Sequence, residues 1–422
     1  MGGSGRPPPP PTLAHAPGDP GRGSKLDDLR RVIRRLETAR PPRPAPEPME
    51  AVVGGEVIET DAGRLVRVRR EFPLSYAHGR LPLAGAFGVS DEALRLLAGA
   101  GDGPADPRRL VFLDTETTGL AGGTGTYAFL VGAGRLEGER FVVDQYFMRD
   151  FDDEPALLSA LSPLLAEASG IVSFNGAGFD LPLLETRFVL ARRRWPGARA
   201  HVDLLRPARR VWAPSLLDCR LTTLERDVLG LARPDDVPGA LIPALYFAFL
   251  KSRRAAPLAR VFTHNRDDVL SLAALLGWFA GAVARAEGFG LRPEELAGVG
   301  RLWERVDPER AAACYREALD SGLAGAAAHA ARLRLARWEK RRARWQAACA
   351  LWEAASRAET FDPRPWEELA KFHEHRSRDV ALAHAIVTTA LDLAHAAGAS
   401  ARILEAFTHR LGRLTRRLAL PR

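Results

Sequence analysis

Three strand-forming runs follow one another in the middle of the chain: LVFLDTE from 110, YAFLVGAGRL from 127 and RFVVDQYFM from 140. Only then do helices and strands begin to alternate. EPALLSALSPLLAEA reads as a helix, GIVSFN as a further apolar strand and FDLPLLETRFVLARRR as another helix. Strands joined by short turns pair antiparallel, whereas strand–helix–strand units make parallel neighbours. This order therefore predicts an α/β domain with a mixed sheet. Upstream, residues 56–72 alternate apolar and polar around Asp61-Ala62-Gly63, a hairpin signal. SDEALRLLAG then gives a short helix capped by Ser90.

From about Gly288 the strand signals vanish. AAACYREALDSG, WQAACALWEAAS and AHAIVTTALDLA recur about 37 residues apart, with Tyr315, Trp352 and Thr388 at one equivalent position and Ala318, Ala355 and Leu391 at another. Small residues set against large ones on amphipathic helices are the pattern of stacked helix-turn-helix repeats, close to the tetratricopeptide (TPR) type. Trp303, Trp338, Trp345, Trp352 and Trp366 are read as core between those helices rather than as base-stacking platforms.

A chain of 422 residues, 46% of them hydrophobic, calls for more than one domain. Residues 1–48, with five prolines in a row from Pro7, are expected to be a disordered tail with one short helix. Ser24 caps that helix, and Leu26, Leu29, Ile33 and Leu36 form its apolar stripe. Residues 49–287 are assigned to the α/β domain, 49–105 being its hairpin and helix extension. Residues 288–422 are assigned to the helical repeats.

The net charge of +8 favours a polyanionic partner. Residues 301–422 carry 22 Lys and Arg against 15 Asp and Glu, a surplus of seven. Cys219, Cys314 and Cys349 are too scattered for a zinc site or a disulfide framework, which fits a reducing cytoplasm, nucleoid association included. MGGSGRPPPPPT has no apolar signal-peptide core, and no uninterrupted apolar run has the length to span a bilayer, so no membrane partner is expected.

The strand LVFLDTE carries Asp114 and Glu116 two residues apart, hence on one face of the strand. Two adjacent carboxylates repel, and divalent cations would remove that cost. FNGAGFDLPLL puts Asp180 at a helix start. THNRDDVLSLAALL puts His264 and Asp268 one helical turn apart, with Asp267, about 100° away, the second choice. Each stretch alone also reads as ordinary structure: a helix cap, a surface histidine, an exposed ion pair. Together, four carboxylates and a histidine meet the needs of two hard cations, Mg²⁺ or Mn²⁺.

The order D-x-E, N-x-x-x-F-D, H-x-x-x-D, with 64 residues from 116 to 180 and 88 from 180 to 268, resembles that of the DEDD exonucleases on a ribonuclease H-like fold. Within them the chain is similar to the YprB-type ribonuclease H-like exonucleases. The resemblance rests on DTETTGLAGGTGTYAFLVG, SFNGAGFDLPLL, HVDLLRPARRVW and CRLTTLERDVLGLARPDDVPGALIPALY, over about residues 50–280. The helices beyond it resemble the tetratricopeptide tail of such proteins.

That resemblance implies metal-dependent 3′ to 5′ removal of nucleotides, DNA favoured over RNA, in a repair setting with a helicase or other protein partner at the repeats. It also implies that Asp114 bridges both ions, Glu116 holds the ion carrying the attacking water, and Asp180 and Asp268 complete the shells. The sequence departs from the pattern at one place. Its histidine stands at the spacing of the tyrosine class, with three residues between it and the final aspartate. His264 is read as the general base, with holding water and a phosphate as its alternative.

Thr115, Gly119, Asn175 and Arg233 are the candidate substrate contacts. GLAGGTGT lacks the lysine of a P-loop and the GxGxxG of a dinucleotide fold, so it is a turn that approaches the terminal nucleotide or a plain hairpin turn. Asn175 either contacts substrate or forms a turn. Arg233 either meets a phosphate or belongs, with Asp235 and Asp236, to an ion-paired loop. The basic runs 192–194 and 340–344 are candidate backbone contacts or solvated faces. A catalytically weak nucleic-acid or protein-binding scaffold and a ribonuclease remain the competing functions.

Overall fold

The structure is a computed structural model that describes residues 48–98, 105–119, 125–197, 200–285 and 289–419. The proline-rich tail, with the helix expected over 24–40, lies outside the described residues, as does most of the GLAGGTGT stretch.

The hairpin expected around 61–63 is present: β1 (Glu56–Thr60) pairs antiparallel with β2 (Gly63–Pro73). After a two-stranded ribbon of β3 (Ala77–His78) and β4 (Leu81–Pro82) come β5 (Leu110–Thr117), β6 (Ala128–Glu137) and β7 (Arg140–Phe147), an antiparallel meander. β8 (Gly170–Ser173) and β9 (His201–Asp203) then join β5 in parallel. The sheet is mixed and seven-stranded, in the order β1–β2–β7–β6–β5–β8–β9. The hairpin therefore extends the edge beyond β7, away from β5.

Helices cover both faces. After α1 (Met49–Val53) and α2 (Asp91–Ala98), α3 (Glu154–Glu167) and α4 (Asp180–Leu190) are the crossovers leading into β8 and β9. α5 (Leu205–Trp212), α6 (Leu221–Leu224), α7 (Ile242–Ser252) and α8 (Ala259–Ala284) follow. The period-2 alternation of β5 divides the core. Val111 and Leu113 pack with α3, α4 and α7, while Leu110 and Phe112 pack with α5 and α8. Asp114 and Glu116 continue the parity of Phe112 and so face α8. By length and composition the stretch Ala256–Ala284 could cross a membrane, but 78% of its apolar window is buried inside the protein, as in a core helix of a soluble fold.

Seven helices complete the described chain: α9 (Pro293–Trp303), α10 (Pro308–Asp320), α11 (Gly325–Arg341), α12 (Trp345–Ser356), α13 (Pro363–His375), α14 (Val380–Ala396) and α15 (Ala401–Ala419). Asp307 and Asp362 cap α10 and α13 ahead of a proline at the first helical position. Trp303, Trp338 and Trp352 are buried between helices, and Trp345 and Trp366 are half-buried.

The third repeat is displaced from the register that the spacing predicts. Ala311, Tyr315 and Ala318 in α10 match Ala348, Trp352 and Ala355 in α12, but in α14 the buried set with the same spacing is Ala383, Val387 and Ala390. Thr388 and Leu391 are only half-buried. The chain reaches the third copy two residues sooner, so a constant period overshoots it.

The helical region is not hung on a free tether. One continuous apolar core runs from Phe112 of β5 through Trp212 and Trp278 to Leu296, Tyr315 and Trp338. Gly298 allows α9 to press on α5, where a Cβ would meet the Val211 backbone at 2.7 Å.

Candidate active site

β8 stops pairing with β5 after Phe112, so the edge of β5 beyond it is free at the end that carries Asp114 and Glu116. On its other side β5 keeps β6, with Asp114 opposite Gly132 and a bulge between Glu116 and Thr117. The carboxyl ends of the parallel strands β5, β8 and β9 open onto one crevice, the usual place for a site in such sheets.

Asp180 reaches this edge from the start of α4. Its Oδ1 accepts a hydrogen bond from the Thr115 hydroxyl at 2.5 Å. The turn that delivers it is built around Asn175, whose φ of 66° is left-handed, a conformation asparagine tolerates. Asp203, at the end of β9, clamps that turn by accepting the backbone N–H of Asn175 at 2.7 Å and of Ala177 at 3.2 Å.

α8 brings three residues from the opposite side. His264 Nε2 lies 3.5 Å from Asp268 Oδ2 and 3.9 Å from Glu116 Oε1, and its Nδ1 is 2.7 Å from Asp236 Oδ1. Asn265, fully buried, donates from Nδ2 to Asp114 Oδ2 at 2.8 Å, while its Oδ1 accepts from Gln145 at 2.9 Å. Gly132 permits this approach, because a Cβ there would stand 2.3 Å from Asn265 Oδ1. Asp267 turns away and pairs with Arg266 at 2.7 Å.

The cluster is short of positive charge. Burial, then the Asp268, Glu116 and Asp180 charges, push Asp114 well above the carboxylate range. Burial pushes Glu116 up to about 8 against the opposing pull of His264, and Asp180 up to about 6 against the Thr115 hydroxyl. Asp268 is raised by burial despite His264 and Arg233. For His264, burial works downward, but the Asp268 and Glu116 charges and the Asp236 hydrogen bond outweigh it and leave the imidazole pKa raised.

Among the described residues, no three His, Cys, Asp or Glu side chains already close around one point as a finished ion site. The donor chemistry nevertheless fits a divalent cation. Among the described residues Glu116 Oε1 is buried without a hydrogen-bond partner, and the four carboxylates are hard oxygen donors held against their own repulsion.

Arg233 stands behind this cluster. Its guanidinium pairs with Asp268 Oδ1 at 2.6 Å and with Glu225, and its side chain is 10% exposed. Gly119 accepts a hydrogen bond from the Thr117 hydroxyl at 2.8 Å, which folds the chain back at the strand end. Sequence reasoning missed Asn265, Asp203 and Glu225, and read Asp236 as part of an ion-paired loop. A buried asparagine between His264 and Asp268 was the one available signal.

Residues 111–280 match the family model of the RNase_H superfamily. A protein of Bacillus subtilis (strain 168), titled "Uncharacterized protein YprB", is 38% identical over 214 residues, 49% of this chain and 50% of that one. The chain thus spans about half the length of the curated relative it matches. The mixed sheet and its strand order are consistent with an RNase H-like fold over residues 111–280, the segment that the family model matches.

Proposed function

We propose that the chain is a two-cation DEDD-type exonuclease that hydrolyses phosphodiester bonds from a 3′ end, with DNA as the favoured substrate in a repair setting. The observation that carries this reading is the crowding of Asp114, Glu116, Asp180 and Asp268, whose pKa values are held up by burial and, for Asp114 and Glu116, by the charges of the others, around an oxygen of Glu116 that has no hydrogen-bond partner among the described residues. These four carboxylates are the residues that would hold Mg²⁺ or Mn²⁺. When bound, the cations supply the Lewis acidity that activates water and steadies the leaving 3′ oxygen.

The side chains around them divide the remaining tasks. Asp236 accepts a hydrogen bond from the Nδ1–H of His264, which leaves Nε2, facing Glu116 and Asp268, as the atom that accepts a proton from water. Asn265 fixes Asp114, Thr115 fixes Asp180, and Arg233 fixes Asp268. Polarity and the preference for DNA come from the family resemblance.

The test is degradation of 3′- and 5′-end-labelled single-stranded DNA, duplex DNA and RNA with Mg²⁺ or Mn²⁺, comparing wild type with Asp114→Ala. Laddering from the 3′ end that Asp114→Ala abolishes is expected. Products independent of Asp114 would sink the assignment, and a wild type that binds every substrate but cleaves none would leave a scaffold.

A further inference from the structure

A cleft of about 210 Å³ opens in the helical region between the end of α9, α10 and α11. Its rim carries Arg305, Arg334, Arg337 and Arg341, and its single lining carboxylate is Glu304. Glu304 is already taken by Arg334 and by the Tyr315 hydroxyl. Arg305, Arg337 and Arg341 are exposed, and among the described residues none of the three side chains has a hydrogen bond or an ion pair. Arg334, Arg337 and Arg341 follow at i, i+3 and i+7, so like charges stack along one face of α11 at a cost in helix stability.

The surroundings are different. In the adjoining cleft of about 200 Å³, Lys340 pairs with Glu368, and Arg364 with Asp362. Within the basic run 340–344, Arg342 pairs with Glu309, and Arg344 lies 3.6 Å from Glu339. Three exposed arginines without a side-chain partner among the described residues thus line this one cleft, Arg337 on the ridge it shares with the adjoining cleft, and of the run 340–344 only Arg341 belongs to it.

We propose that this cleft binds the phosphodiester backbone of a nucleic-acid strand. The inference rests on the reading of the domain as one that handles nucleic acid. Guanidinium forks grip phosphate oxygens in pairs, so three arginines without counter-charge form a phosphate-binding surface. The contact is to backbone and not to bases. Trp338 is covered by the guanidiniums of Arg316, Arg342 and Arg344 at 4.9, 4.8 and 5.3 Å from its ring centroid, which leaves no open aromatic face for stacking or for anchoring a peptide side chain. α10 and α11 share their core with Phe112 of β5, two residues before Asp114. The cleft is therefore held at a fixed place relative to the carboxylates, and a strand entering the crevice can be gripped at a second point.

The experiment is fluorescence anisotropy of a labelled thirty-residue oligothymidylate with the full chain in EDTA, where binding is read without cleavage. The triple variant Arg305→Gln/Arg337→Gln/Arg341→Gln should weaken binding tenfold or more at low salt. It should also flatten the plot of log affinity against log salt by about 2, roughly 0.7 for each lost phosphate contact on a single strand. Lysine at the same three positions should keep most of the affinity. Neutralising Arg357, Arg378 and Arg402, exposed in the later repeats, should leave it within about twofold.

Unchanged affinity in the cleft variant, or equal losses in both triple variants, overturns the proposal. It is also overturned if the cleft variant loses a poly-glutamate peptide but keeps the oligonucleotide, which would make the site one for acidic protein segments. Arginine-dependent binding by a chain that cleaves nothing supports the cleft and removes the nuclease reading. Cleavage by a chain whose binding ignores these arginines does the reverse.

Discussion

The side-chain amide of Asn265 donates a 2.8 Å hydrogen bond to Asp114 Oδ2 across 151 residues of sequence. It links α8 directly to the carboxylate strand, and the same amide reaches the Asp114 carbonyl at 3.3 Å, so it holds both the side chain and the backbone of Asp114. Asn265→Ala should therefore lower the cleavage rate by about 10- to 100-fold, the usual effect of losing a residue that orients a ligand. Single-turnover rates at saturating Mg²⁺ measure it. A loss confined to thermal stability, with rates unchanged, would make Asn265 a packing residue only.

Removing one of four repelling carboxylates should stabilise the cation-free protein. In EDTA, Asp114→Asn is expected to melt above wild type, because the Asp114 carboxyl is raised by burial and by three like charges. In excess Mg²⁺ the order should invert. Wild type gains RT ln(1 + [L]/Kd), about 2.7 kcal/mol at a hundredfold excess over Kd, and the variant gains little. A wild type whose melting point ignores Mg²⁺ and Mn²⁺ speaks against a cation at these residues.

His264 must be neutral to accept a proton, so activity should fall as pH drops through its pKa. Burial lowers that pKa, but the Asp268 and Glu116 charges and the bond to Asp236 leave it raised in the cation-free protein. Bound cations oppose the rise, and the firm expectation is an acidic limb. Asp236→Asn removes one of the raising groups and should move the limb to lower pH. His264→Ala should cost roughly a hundredfold in rate. Identical pH–rate profiles for wild type and His264→Ala would send the search for the base elsewhere.

Behind the site, His78 is 4% exposed, and its Nε2 lies 2.8 Å from the Ser271 hydroxyl. Burial, with Arg233 and Arg266 nearby, lowers its pKa from 6.5 to about 4. As pH falls below 6.5 the unfolded chain takes up a proton that the fold refuses until about pH 4. Stability present above pH 6.5 is thus lost across that window, by about 3 kcal/mol at most. Denaturant melts of wild type and His78→Gln from pH 7 to 4 should diverge, the variant showing the flatter fall. Parallel curves would mean that the fold leaves the His78 pKa where it stands in the unfolded chain.

Periodicity made much of this protein legible. A period of two placed Asp114 and Glu116 on one face of β5, a period of 3.6 put His264 and Asp268 on one face of α8, and the recurrence of small and large residues announced the helical region. These are local properties, set by backbone geometry over a few residues.

What faces what across the fold was decided only in three dimensions. No spacing rule says that β1 and β2 continue the sheet beyond β7, or that Asp236 should meet the Nδ1 of His264. Arg233 has the composition of a phosphate contact, yet its charge is drawn to Asp268 and Glu225 because they are the nearest buried carboxylates. In the third repeat a two-residue shortening moved the buried face to Val387, since helix packing follows the face presented to the core and not a constant count. The uncompensated arginines of α11 became visible in the same way. Every arginine in the sequence carries the same charge, and only the tertiary contacts show which of them lack a partner among the described residues.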